Sequence, residues 1–106
     1  MKKLFIAAFM LVSSFGTNVM ADGHAIKMGI ILGFTGPIES LTPAMAASAE
    51  LAFKEASDSG SLLGGKKIEV VRADSTCVDS AAATAAAEGV ISQGVAAIMG
   101  ADCSGV

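Results

Sequence analysis

The chain has 106 residues, 53% of them hydrophobic, with ten acidic side chains against seven basic ones and a formal net charge of −3. That acidic balance argues against nucleic acid and against an anionic membrane surface as partners. One histidine and two cysteines give no recurring metal-ligand spacing, and no residue pattern asks for a cofactor.

The N-terminus comes first in chain order. Met1-Lys2-Lys3 is a short basic start, Leu4 to Val12 is an unbroken apolar run, and Ser13 to Asn18 turns polar before Val19-Met20-Ala21. This layout predicts a signal peptide over residues 1–21, cut between Ala21 and Asp22. The apolar core is too short to span the roughly 30 Å of a hydrocarbon layer, which weighs against an uncleaved anchor. No cysteine follows the run to carry a lipid. Removing 21 residues from 106 leaves residues 22–106, and the loss of Lys2 and Lys3 takes the net charge to about −5.

Ile26 to Leu32 is apolar apart from Lys27 and runs into Gly33-Phe34-Thr35-Gly36-Pro37, the pattern of a buried strand ending in a turn. Thr42-Pro43 predicts a helix N-cap followed by proline at the first helical position. From there Met45, Ala49, Ala52, Phe53 and Ala56 share one helical stripe, Glu50 and Lys54 form an i,i+4 pair, and Gly60 marks the stop. Gly64-Gly65 turns the chain into a second strand, Ile68 to Ala73, with Glu69 facing away from Ile68 and Val70, and Asp74-Ser75-Thr76 forms a polar loop at its end. Asp79 or Ser80 caps a helix through about Gln93, with Ala83, Ala86, Val90 and Ile91 on its apolar side and Gly94 as a left-handed stop. Val95 to Met99 is the third strand. The order β-α-β-α-β with helical crossovers predicts an α/β fold, the start of a three-layer lobe with a parallel sheet and right-handed connections. The third strand lacks a following helix, which leaves one sheet face partly bare, so residues 22–106 are expected to form the front part of a longer protein.

Few motifs carry chemistry. Gly60 to Lys66 fits G-x4-G-K, but Lys67 replaces the hydroxyl residue and the stretch leaves a helix for a strand, the reverse of a phosphate-binding loop. Asp74 stands where a dinucleotide-binding fold keeps its ribose-binding acid, yet the first turn lacks G-x-G-x-x-G, and a loop acid or cap is the simpler reading. His24 lies in the ragged first residues after the cut. Glu39, Glu50, Glu55 and Glu88 show no paired-carboxylate spacing, so nothing positive points to an enzyme. Cys77 and Cys103 both follow strands and fall at the same carboxyl edge of the sheet. In an exported chain this supports a disulfide, with two buried free thiols as the alternative.

Taken together, Thr35-Gly36-Pro37, Ser59-Gly60, Leu63-Gly64-Gly65-Lys66-Lys67-Ile68, Asp74-Ser75-x-Cys77, Gly94-Val95 and Gly100-Ala101-x-Cys103-Ser104 resemble the periplasmic Leu/Ile/Val-binding-protein family over Ala25 to Val106. The resemblance implies a type I periplasmic-binding fold of two hinged α/β lobes, of which this sequence matches the start of the first. It implies the substrate-binding component of an ABC importer, not an enzyme, that captures amino acids of the branched-chain type in the periplasm and delivers them to an inner-membrane permease. It also implies a Cys77–Cys103 disulfide and a ligand carboxylate held by Ser104, with Asp102 and Cys103 in the same loop. Leu41 occupies the place where family members often carry a pocket aromatic, and relatives with this layout bind urea, short amides or aromatic acids, so the departure bears on which ligand is taken. Open α/β sheets bind ligands at strand carboxyl ends, and a hydroxyl beside free N–H groups suits a carboxylate. Without the resemblance, Ser104 is expected as a helix N-cap, a role compatible with ligand contact. An exported α/β enzyme and a membrane receptor's ligand-binding domain remain alternatives, each with its functional residues downstream.

Overall fold

The structure, a computed structural model, describes residues 25–106; the signal peptide expected over 1–21 and His24 lie outside the described residues. The elements are β1 (Ile26–Leu32), α1 (Thr42–Asp58), a short 3-10 turn at Leu62–Gly64, β2 (Ile68–Asp74), α2 (Ser80–Ser92) and β3 (Ala97–Met99). All strands are parallel, as the β-α-β-α-β sequence pattern predicts, and their order is β2-β1-β3. β3 is shorter than the expected Val95–Met99. The Ala96 N–H already bonds to the Lys27 carbonyl at 2.8 Å, but paired register begins only at Ala97 opposite Met28.

The central strand carries the core, with Ile30, Ile31 and Leu32 all buried. Successive side chains point to opposite faces. Ile30 and Leu32 meet Ala46 of α1, flanked by Phe34, Ala49 and Phe53. Gly29 and Ile31 face α2, and a Cβ at Gly29 would lie 2.6 Å from the Val90 side chain, so the missing side chain is what lets α2 sit down on the sheet. Burying an aliphatic side chain of this size contributes about 1.5–3 kcal/mol, and these few residues are the main adhesive between the layers.

Packing turns both helices slightly from the expected faces. In α1 the buried positions are Thr42, Ala46 and Ser57, the expected Ala49 and Phe53 pack half-buried against the core, and Met45 is 41% exposed. Thr42 does not cap α1. Leu41 holds the N-cap position without a side-chain bond, because Leu41 N–H already bonds to the Ile38 carbonyl and starts the first turn. The Thr42 hydroxyl is buried and donates to the Gly33 carbonyl at 3.1 Å, tying the helix start to the end of β1. The expected Glu50–Lys54 pair does not form either. Glu50 accepts two hydrogen bonds from Arg72 of β2 at 2.6 and 2.8 Å, and Lys54 pairs with Asp58 one turn on. A planar guanidinium within reach matches a carboxylate better than a flexible ammonium does.

Asp79 is the cap of α2, its carboxylate accepting from the N–H groups of Ala81 and Ala82 at 2.8 and 3.2 Å. Gly94, at φ +76°, ends the helix as expected. Ile91, predicted on the apolar side, is 61% exposed. Val90 seats over Gly29, and the next residue is rotated by about 100°, away from the sheet. Alongside α2, the residues Ile31, Ile98, Ala83, Ala87, Gly100 and Ala101 border an open groove of about 410 Å³ over β3, the sheet face expected to be partly bare. Among the described residues no helix is long and apolar enough to cross a membrane.

Candidate functional site

The strand order singles out one place on the sheet. The chain passes from β1 to β2 on one side and then returns to β3 on the other side of β1, so the winding reverses between β1 and β3. Crevices outside the carboxyl ends of strands flanking such a reversal are where open α/β sheets hold ligands. Three loops converge there, residues 33–41 after β1, 75–79 after β2 and 100–106 after β3.

Their positions are fixed by side chains rather than by regular structure. Cys77 and Cys103 are joined in a disulfide, with Cα atoms 5.3 Å apart across a sequence separation of 26. This bond links the loops of the two outer strands past the end of the central one. Gly33 lies beneath it, and a Cβ there would be 2.9 Å from the Cys77 Cβ. Thr76 and Cys77 have φ of +60° and +70°, unusual for residues with side chains, so this loop is held in a conformation it would not adopt alone. Gly36, at φ +98°, passes so close to the Thr76 carbonyl that a Cβ would come within 2.4 Å of its oxygen.

Two aspartates complete the framework. The Asp74 carboxylate accepts from the Thr35 hydroxyl at 2.6 Å, from Thr35 N–H at 3.2 Å and from Thr76 N–H at 2.8 Å. Burial works against its charge, but the bonds from the Thr35 hydroxyl and from the N–H groups of Thr76, Thr35 and Phe34 outweigh burial and hold the carboxyl below the usual aspartate range. Asp74 is therefore a loop organiser, in keeping with the simpler reading of this acid. Asp102 spans the other gap, with both carboxylate oxygens facing Gly33 N–H at 3.1 and 3.2 Å.

A pH dependence follows from Asp74. Its folded pKa is lower than its unfolded value, so its stabilisation is complete above the ordinary aspartate pKa of about 3.9 and is lost as pH falls through the lowered folded value. Denaturant midpoints measured from about pH 6 down to about pH 2 should fall more steeply for the wild type than for Asp74→Asn. Identical acid limbs would contradict this role.

Asp102, Cys103 and Ser104 thus share one short loop, tied to β1 by the Asp102–Gly33 bonds and to the β2 loop by the disulfide. The Cys103 sulfur is consumed by that disulfide. Ser104 is exposed within a turn closed by Val106 N–H to the Cys103 carbonyl at 3.4 Å. Leu41 stands at the start of α1, 60% exposed, in a different loop at the same edge. Sequence reasoning placed Thr35 and Ser75 in loops and gave Thr42 the role of a helix cap, but it missed the bonds of Thr35 to Asp74 and of Thr42 to Gly33 and the burial of Ser75. The Ser75 side chain is fully buried and its hydroxyl has no partner, and small hydroxyl residues in loops give no periodic signal by which such a role could be found. Among the described residues no three potential metal ligands cluster.

No curated protein matches the chain at a significant level. A family model described as periplasmic binding protein matches residues 25–106, all of the sheet, both helices and the three loops, and the chain belongs to the periplasmic binding protein family.

Proposed function

We propose that the protein is the substrate-binding component of an ABC importer, capturing amino acids of the branched-chain type in the periplasm and presenting them to an inner-membrane permease. The observation that carries this reading is the Ser104 loop, clamped by a disulfide at the point where the sheet winding reverses, in a chain of the periplasmic binding protein family. In this reading the Ser104 hydroxyl donates to the ligand carboxylate, and neighbouring main-chain N–H groups supplement it. Asp102 and Cys103 set the loop beside the ligand, and Leu41 lines the side-chain end of the pocket. In this reading the role is binding without chemistry, in keeping with the periplasmic binding protein family.

Calorimetric titration of the full-length protein with leucine, valine, urea, acetamide and phenylacetate tests the ligand class. Saturable binding of leucine or valine ahead of the others is expected, and preference for any other probe would replace the branched-chain assignment. Export is tested separately. Mass analysis of the exported protein should find a chain beginning at Asp22, and material retaining residues 1–21 would refute the cleavage.

A further inference from the structure

The loop after β1, residues 33–41, is held from one face of β2. In the parallel register Arg72 stands opposite Ile30 and Asp74 opposite Leu32. Asp74 holds Thr35, accepting from its hydroxyl at 2.6 Å and from its N–H at 3.2 Å. Two residues earlier on the same face, the Arg72 guanidinium lies over the ring of Phe34, 5.5 Å from its centroid, which is the range of a cation–π contact. Neighbouring side chains on this face of β2 thus hold successive residues of the loop.

Arg72 is engaged on its other side as well. Its Nε and Nη2 donate to the two carboxylate oxygens of Glu50 at 2.6 and 2.8 Å. Those bonds use the edge of the guanidinium and leave its flat face for the ring, a combination that a compact ammonium cannot supply. Glu50 belongs to α1, the helix that begins where the loop ends, with Leu41 at its N-cap position. Phe34, near the loop's start, packs against Ile30, Leu32 and Ala46. One side chain of β2 therefore ties both ends of the loop to the sheet, Phe34 directly and Leu41 through the helix that follows it.

We propose that Arg72 is a positioning residue of the ligand site, acting through Phe34 and Glu50 to set the loop that carries Thr35 and Leu41. The inference rests on the reading that this loop borders the ligand. Isolated surface ion pairs contribute little, because two flexible side chains must be ordered for a screened attraction. This pair is bidentate and also joins a ring packed on the core, so its loss frees a backbone segment and not only two side-chain tips. A ligand must then order the loop itself, and the cost falls on affinity more than on overall stability.

The test compares the full-length wild type with Arg72→Lys and Arg72→Met, and with Lys54→Met as a control that breaks the Lys54–Asp58 pair elsewhere on α1. Amide hydrogen exchange without ligand reads the loop, and calorimetric titration with leucine reads the site. In both Arg72 variants the Phe34 and Thr35 amides should exchange about two- to fivefold faster while those of Ile30 and Ile31 keep their rates, and leucine should bind about two- to fivefold more weakly. Lys54→Met should match the wild type in both measurements. Arg72→Lys keeps a charge opposite Glu50, so wild-type behaviour in that variant would reduce the contact to an ordinary ion pair and overturn the inference. Faster exchange spread evenly along β1 would overturn it too, as a general loss of stability. If the loop exchanges faster and leucine affinity is unchanged, Arg72 does not serve the site, and the inference falls while the Ser104 site stands. Should the wild type not bind leucine, the branched-chain reading fails by itself, and the Phe34 and Thr35 exchange rates still decide whether Arg72 sets the loop.

Discussion

Ser104→Ala in the full-length protein should weaken amino-acid binding by roughly tenfold to more than a hundredfold, because a hydrogen bond to a charged group contributes about 1.5–3 kcal/mol. The residue is suited to that role by placement. It is exposed, it follows a disulfide-bonded cysteine, and its loop is held to β1 by the Asp102–Gly33 bonds, so little ordering remains to be done when a ligand arrives. A helix cap behaves differently, since its loss lowers stability by about 1 kcal/mol and leaves affinity nearly unchanged. Titration beside a melting curve separates the roles. Unaltered affinity with a lowered melting point would assign Ser104 to the framework and remove it from the ligand site.

Breaking the Cys77–Cys103 bond should cost about 3–3.5 kcal/mol of stability, the loop-closure entropy expected for a sequence separation of 26. The effect on the site should be larger than that figure conveys. Thr76 and Cys77 occupy left-handed backbone conformations that side-chain-bearing residues avoid, and the bridge is one of the few constraints holding them there. In a Cys77→Ser, Cys103→Ser variant the 75–79 loop is free to relax, Gly36 loses its close neighbour at the Thr76 carbonyl, and the Ser104 loop keeps only the Asp102–Gly33 bonds. Denaturant midpoints should therefore drop, and ligand affinity should drop with them. Mass mapping of the native protein without reductant should find the two cysteines joined. Two alkylatable thiols in that protein, or unchanged stability in the double variant, would show that the bridge does not hold these loops.

These expectations share one physical basis. The sheet brings three loop origins together, and hydrogen bonds, one covalent bond and the packing of Phe34 against the core set where the loops go. Ile30, Ile31 and Leu32 provide the apolar contact that holds the layers, and immediately after Leu32 the chain turns polar and glycine-rich. The site is built where the hydrophobic contribution ends, which is why single polar substitutions there should affect binding more than fold.

Much of this was written in local sequence. The apolar run Ile26–Leu32 signals a buried strand, Asp79 or Ser80 ahead of an alanine-rich segment signals a helix start, and Gly94 at φ +76° stops that helix where a side chain would be strained. Such features depend on neighbours a few residues away, and periodicity and capping report them directly. The placement of Cys77 and Cys103 at one sheet edge was legible for the same reason, since each follows a strand in a parallel arrangement. What depended on distant residues was not legible. Glu50 chose Arg72 over Lys54 because β2 brings a guanidinium beside α1, Thr42 turned from capping to bind the Gly33 carbonyl, and Ile91 rolled outward because Val90 found the space above Gly29. Likewise Asp74 and Asp102 are two more acids in the chain, and only the tertiary structure gives one three donors and leaves the other aimed at a single N–H, because hydrogen-bond partners separated by 39 and 69 residues are set by how strands pair and not by what lies beside them in sequence.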